Sequence, residues 1–107
     1  MVKEKVFYYS CSEMIILKQL LKEDMYGYQL GEVISEQSDG VFRMKAGVLY
    51  PILYKMEKAG YIEMKEVKTD TRRVRRYCHI TEAGRSFYIR RLDKWHIFEK
   101  ATNTLVG

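Results

Sequence analysis

The sixteen residues from Gly47 to Ile62 constrain this chain more than any other stretch, because their pattern fits a short helix that stops at a glycine and turns into a strand. At about 100° per residue, Leu49, Ile52, Leu53 and Met56 share one side, which predicts contact with a core. Gly47, Tyr50, Pro51, Tyr54, Lys55 and Lys58 fall on the opposite side. An ordinary surface helix can expose a few aromatics, but this outer face also suits contact with a partner. Inside a helix Pro51 deletes one backbone hydrogen bond, at a cost of ~3 kcal/mol. In the second turn of a helix from Ala46 to Ala59 it would loosen the bond to the Gly47 carbonyl and tilt the amino-terminal end. Gly60 suits the left-handed position past the last turn, and Lys55 and Lys58 favour the carboxyl end of the helix dipole.

Upstream, residues 1 to 9 read as an apolar arm, Val6-Phe7-Tyr8-Tyr9, that docks on another element. Ser10 and Glu13 have the spacing of a capping box, so a first helix is expected to start there, with Met14, Leu17 and Leu21 buried and Cys11, Ile15 and Leu20 beside them. A second helix is expected from Asp24 or Met25, burying Leu30, Val33 and Ile34 and ending at Ser38-Asp39-Gly40. Gly27 in its first turn implies that a neighbouring helix or a phosphate comes close. Val41 to Met44 then links to the central helix. Three short helices of which the last has an unusual outer face match the helix-turn-helix arrangement.

Downstream, Tyr61 to Lys68 and Val74 to Ile80 alternate as two strands. Ile62 and Met64 can meet Cys78 and Ile80 over the core, while Arg75, Tyr77 and His79 look away. The turn between them, Lys68 to Arg73, is polar and carries three positive charges, as a wing does. Thr81 and Glu82 then cap a last helix running to about Leu105, roughly 36 Å long. Tyr88, Leu92, Trp95 and Thr102 line one face of it, with Phe87, Phe98, Ala101 and Leu105 alongside. One small domain covers only one side of such a helix, so a second copy of the chain is the simplest partner. The fold class expected is therefore mainly α with a small β-hairpin: a winged helix-turn-helix over 1–80 with an N-terminal arm, and a dimerisation helix over 81–107.

Nineteen Lys and Arg against fourteen Asp and Glu leave +5 on 107 residues, with a pI near 9.2. Placement matters more than the sum, and residues 61 to 80 hold six basic and three acidic side chains. A charge run can be no more than a solvated face. Here it follows directly on a helix with an odd outer face, the pairing that reads a DNA groove and holds adjacent phosphates. The helix-side contacts would come from Lys45, the Gly47 amide, Tyr50, Tyr54 and Lys55, and the wing contacts from Lys68, Arg72, Arg73 and Arg75. Double-stranded DNA is thus the expected partner.

Other chemistry finds little footing. His79 and His96 stand apart without metal-ligand spacing, and there is no glycine-rich phosphate loop or nucleophile elbow, so no metal, no cofactor and no enzyme is expected. Cys11 and Cys78 lie on apolar faces and read as core. No stretch approaches the ~20 apolar residues of a membrane span, which makes the cytoplasm the expected address and excludes a membrane partner. Trp95, the single tryptophan, is either a dimer-core aromatic or a stacking surface for a planar ligand.

Several motifs together resemble the PadR family of winged-helix transcriptional regulators. They are Tyr26-Gly27-Tyr28, Gly47-Val48-Leu49-Tyr50-Pro51 with Leu53, Met56-Glu57 and Gly60-Tyr61-Ile62, and Arg75-Arg76-Tyr77 with Ile80-Thr81-Glu82-Ala83-Gly84-Arg85. The resemblance implies a homodimer held mainly by the last helix, binding an inverted-repeat promoter site, usually as a repressor. Its motif positions add Tyr26, Tyr28, Val48 and Pro51 to the DNA contacts. With one helix after the wing the chain resembles the short subfamily, in which an aromatic effector can lie at the dimer interface beside a tryptophan; this implies an effector site at Trp95, Tyr88 and Leu92, and dimer contacts from Phe7, Tyr88, Leu92, Trp95, Phe98, Thr102 and Leu105. Val48 stands where threonine is usual, Gln29 where glutamate is common, and Cys78 where a second aromatic follows Tyr77. The alternative is an interaction or small-molecule-binding module that keeps the fold without operator recognition.

Overall fold

A computed structural model describes residues 2–69 and 72–107, with side chains from Cys11 onward. The elements run α1 (Val2–Lys22), β1 (Met25–Tyr26), α2 (Gly27–Gln37), α3 (Ala46–Lys58), β2 (Ile62–Lys68), β3 (Val74–Ile80) and α4 (Glu82–Val106). The expected winged helix-turn-helix is present, followed by one long helix. Phe7, Asp70 and Thr71 lie outside the residues whose side chains are described.

α1 is the centre of the packing, touching α2, α3, α4 and β3. Contact on several sides explains why Ile16, outside the expected stripe, is as fully buried as Leu17. The helix starts at Val2, so the proposed arm over residues 1 to 9 and the capping box at Ser10 and Glu13 are both corrected. Ser10 lies inside a continuous helix, where the amides a cap would satisfy already have intrahelical carbonyls.

The second helix also begins later than expected. Met25 and Tyr26 are extended and pair with Cys78 and Tyr77 of β3, giving a three-stranded antiparallel sheet in the order β1-β3-β2. Tyr26 has φ −86° and ψ 162° and serves as the N-cap of α2. Buried Met25 and half-buried Tyr26 thus lie at the sheet edge, and α2 starts only at Gly27.

The hairpin has the expected register. Ile62 pairs with Ile80 and Met64 with Cys78, so the core-facing side chains of the two strands lie directly opposite each other. Together with Leu49, Ile52, Leu53 and Met56 of α3 and Leu30 and Ile34 of α2, Ile62, Cys78 and Ile80 join one core. Burial first, then the charges of Glu57 and Asp24, pushes the Cys78 thiol up to about 11, which leaves still less thiolate at neutral pH than an exposed cysteine has.

A tight junction connects α3, β2 and α4. Gly60, with φ +84°, ends α3, and the Thr81 hydroxyl donates to its carbonyl at 2.6 Å while accepting the Gly84 amide at 3.0 Å. The Thr81 amide donates to the Tyr61 carbonyl at 3.1 Å. Phe87 then stacks on Tyr61 with ring centroids 4.2 Å apart. Beyond Trp95 the helix is exposed except at Thr102, and the molecule is elongated, 53 Å along its longest axis.

Candidate nucleic-acid interface

α3 presents its first turn outward without a side-chain cap. Lys45 is its N-cap, and the Lys45 carbonyl accepts the amides of Val48 and Leu49 at 2.9 and 2.8 Å. The first turn holds no acidic residue, so the positive end of the helix dipole and the Lys45 charge reinforce each other. A Cβ placed on Gly47 would meet no atom within 4 Å. Internal packing therefore does not require a glycine there, and its bare backbone leaves the surface open to close approach from outside.

Tyr50 is half-buried and reaches back to α2. A Cβ on Gly27 would come within 2.5 Å of the Tyr50 hydroxyl oxygen, which gives Gly27 its packing reason. Tyr54 follows one turn later, its ring centroid 5.9 Å from that of Tyr50. Pro51, Tyr54 and Lys55 are exposed, as is Tyr28 on α2, whereas Val48 is half-buried against the core.

The wing faces this row of rings. Tyr26, Tyr28, Tyr50 and Tyr54 lie across a cleft of about 750 Å³ from Arg73, Arg75 and Arg76. Tyr50 also borders a hollow of about 660 Å³ between α2 and the start of α3, where Lys45 and Arg43 add further positive charge. Arg72 and Arg73 stand exposed at the wing turn, with Lys68 exposed at the end of β2. Arg76 makes an ion pair with Glu66 at 3.6 Å. Arg75 is held differently: its guanidinium carbon sits 4.3 Å over the Tyr26 ring, and Tyr26 meets Tyr77 edge-on at 5.4 Å. The site thus joins an uncapped helix start, a row of tyrosines and several arginines, groups that suit phosphates and base edges.

Residues 16–90 match the PadR-like family of transcriptional regulators. The chain belongs to that family. Its fold overlays a transcriptional regulator from Clostridium thermocellum with a TM-score of 0.85, at 29% identity over 92% of this chain and 96% of the other. It overlays a PadR-like transcriptional regulator from Bacillus cereus with a TM-score of 0.77, at 26% identity over 91% and 92% of the two chains. An uncharacterized protein X from Lysinibacillus sphaericus is 29% identical over 83 residues, which is 78% of this chain and 76% of that protein. PadR-like proteins are DNA-binding transcriptional regulators rather than enzymes, so this PadR-like protein is a transcription regulator.

Apart from Phe7, which lies in α1, the remaining sites expected of a PadR-like chain fall on α4. Tyr88 is half-buried against the core of its own domain, and Leu92, Trp95 and Thr102 are half-buried further along. Phe98, whose ring lies 6.1 Å from that of Trp95, and Leu105 are exposed. No helix among the described residues is long and apolar enough to cross a membrane, and no cluster of metal-binding side chains occurs among them. Contacts among the described residues that the sequence pattern does not announce include Arg75 on Tyr26, Arg76 with Glu66, and His79 Nδ1 with Asp24 at 2.8 Å. The first and third join residues about fifty positions apart. Arg76 and Glu66 face each other in the β2–β3 register, so that pair alone could have been found from the hairpin alignment.

Proposed function

We propose that the protein is a homodimeric repressor that recognises an inverted-repeat promoter site in the cytoplasm, with residues 1–80 binding DNA and α4 joining the two copies. The single observation that carries this reading is the tyrosine- and arginine-lined cleft between the wing and the Tyr50–Tyr54 face of α3. In this reading α3 enters the major groove through Lys45, Gly47, Tyr50, Pro51, Tyr54 and Lys55. Tyr26, Tyr28 and Val48 support that contact, and the wing residues Lys68, Arg72, Arg73 and Arg75 hold the flanking backbone. Two half-sites would lie about one turn apart, ~10 base pairs. The exposed apolar side chains of outer α4, Phe98, Leu105 and Val106, supply the surface for a second copy.

The test is a mobility shift of DNA upstream of the protein's own gene against random DNA at two salt concentrations, with mass in solution recorded. Specific binding by a dimer is the expected result. Equal, salt-erased binding to both DNAs by a monomer would instead support a small-molecule or interaction module on the same fold. The second part of the proposal is an aromatic effector that enters between the two α4 helices beside Trp95, Tyr88 and Leu92 and releases the DNA. Planar aromatic compounds are then expected to change Trp95 emission and weaken the shifted band together; a panel that leaves both untouched would assign Trp95 to packing between the copies.

A further inference from the structure

Among the basic side chains of the wing, Arg75 alone is stacked on an aromatic ring among the described residues, and the geometry of that stack assigns Tyr26 a role the motif does not reveal. We propose that Tyr26 is a positioning residue that acts on DNA through Arg75, holding its guanidinium at the mouth of the cleft between α3 and the wing. This deepens the DNA-binding reading and rests on it.

Three features lead there. Tyr26 and Tyr77 are direct partners in the β1–β3 pairing, so backbone hydrogen bonding and the edge-on ring contact fix where the Tyr26 ring lies. The guanidinium rests over the face of that ring, 4.3 Å from its centroid. A stack of this kind occupies the flat face of the guanidinium and leaves its in-plane N–H groups unused by the ring, directed around the edge where a phosphate oxygen or a base can accept them. Arg76, next in sequence, is instead engaged by Glu66, and Arg73 is exposed. An arginine already held in one orientation gives up less rotational freedom when it binds than a free one does. Arg75 would thereby set the register of one phosphate against α3.

The experiment is a double-mutant cycle read by DNA affinity at several salt concentrations, using the full chain. Tyr26→Leu keeps an apolar side chain beside Tyr77 and removes the ring under Arg75. It is expected to weaken operator binding about five- to tenfold and to lower the salt slope by about one, as Arg75→Ala does, and the two changes together should be no worse than Arg75→Ala alone. Tyr26→Phe should recover most of the affinity that the leucine variant loses. Unchanged affinity in Tyr26→Leu, or losses that multiply in the double variant, would overturn the assignment. If the leucine variant does not fold, Arg75→Lys decides: it keeps the charge and loses the flat stacking group, so a severalfold loss supports the stack and unchanged affinity overturns it. Failure of the unmodified protein to bind any specific DNA would sink the operator-binding reading on which this rests, whereas specific binding without this coupling would sink only the role of Tyr26.

Discussion

The double variant Arg72→Ala/Arg73→Ala is expected to bind operator DNA about 10- to 100-fold more weakly near physiological salt, with a salt slope shallower by about two. Both side chains are exposed at the wing tip. The turn closes through backbone: the Thr69 amide donates to the Arg73 carbonyl at 2.9 Å and the Arg72 amide to the Thr69 carbonyl at 3.1 Å. Arg72 already takes a left-handed φ of 62° without being glycine, so alanine inherits the same conformation. Stability should therefore stay within about 0.5 kcal/mol of the parent, as for other surface changes. Titration at three salt concentrations checks both numbers. Equal affinity at every concentration would remove the wing from recognition and leave α3 to act alone.

Gly84→Ala is expected to cost about 3 kcal/mol and lower the thermal midpoint by roughly 10–20 °C, although alanine favours helix by up to ~1 kcal/mol. The added methyl would overlap the Tyr61 carbonyl oxygen and come within 2.9 Å of the Ile80 side chain and 3.0 Å of the Tyr61 carbonyl carbon. Backbone cannot rotate out of the way as a side-chain tip can, so relief requires α4 to lift from the sheet and stretch the bonds of Thr81 to Gly60 and Tyr61. Gly47→Ala is the contrasting control for stability, because its methyl meets nothing within 4 Å and should leave the midpoint level or raise it. Thermal melts of both proteins distinguish a clash from a general intolerance of substitution. Equal midpoints for Gly84→Ala and the parent would show that the junction yields.

What could be read from the chain divides along physical lines. Periodicity located α3, the hairpin register and the start of α4 because each buries one clear face and closes on a strong local signal: Gly60, the paired Ile62 and Ile80, and the Thr81 cap. Periodicity was a poorer guide where burial is not one-sided. α1 packs against four elements, so Ile16 is buried outside any single stripe, and the helical segment before Ser10 has no second period to announce it. β1 was missed because two residues are too few to alternate; Met25 and Tyr26 are extended on account of β3, half a chain away. The candidate site divides in the same way. The basic wing and the outer face of α3 are local patterns, whereas the rest of Tyr50 on Gly27 and of Arg75 on Tyr26 exists only once distant segments meet.

The junction at Thr81, Gly84 and Tyr61 has a mechanical consequence. Because the first turn of α4 is seated on the carbonyls that end α3 and begin β2, the two helices share a bearing with little free play. The outer part of α4, beyond its contacts with α1 and the core, would then act as a lever arm: about 30 Å from the junction, a swing of about 6° is a displacement of roughly 3 Å, and the bearing would pass it to the end of α3 as rotation. Two such arms crossed in a pair would convert a small change in how they lie against each other into a change in the distance between two reading helices. Slack introduced at that bearing would uncouple the two motions while leaving each end intact.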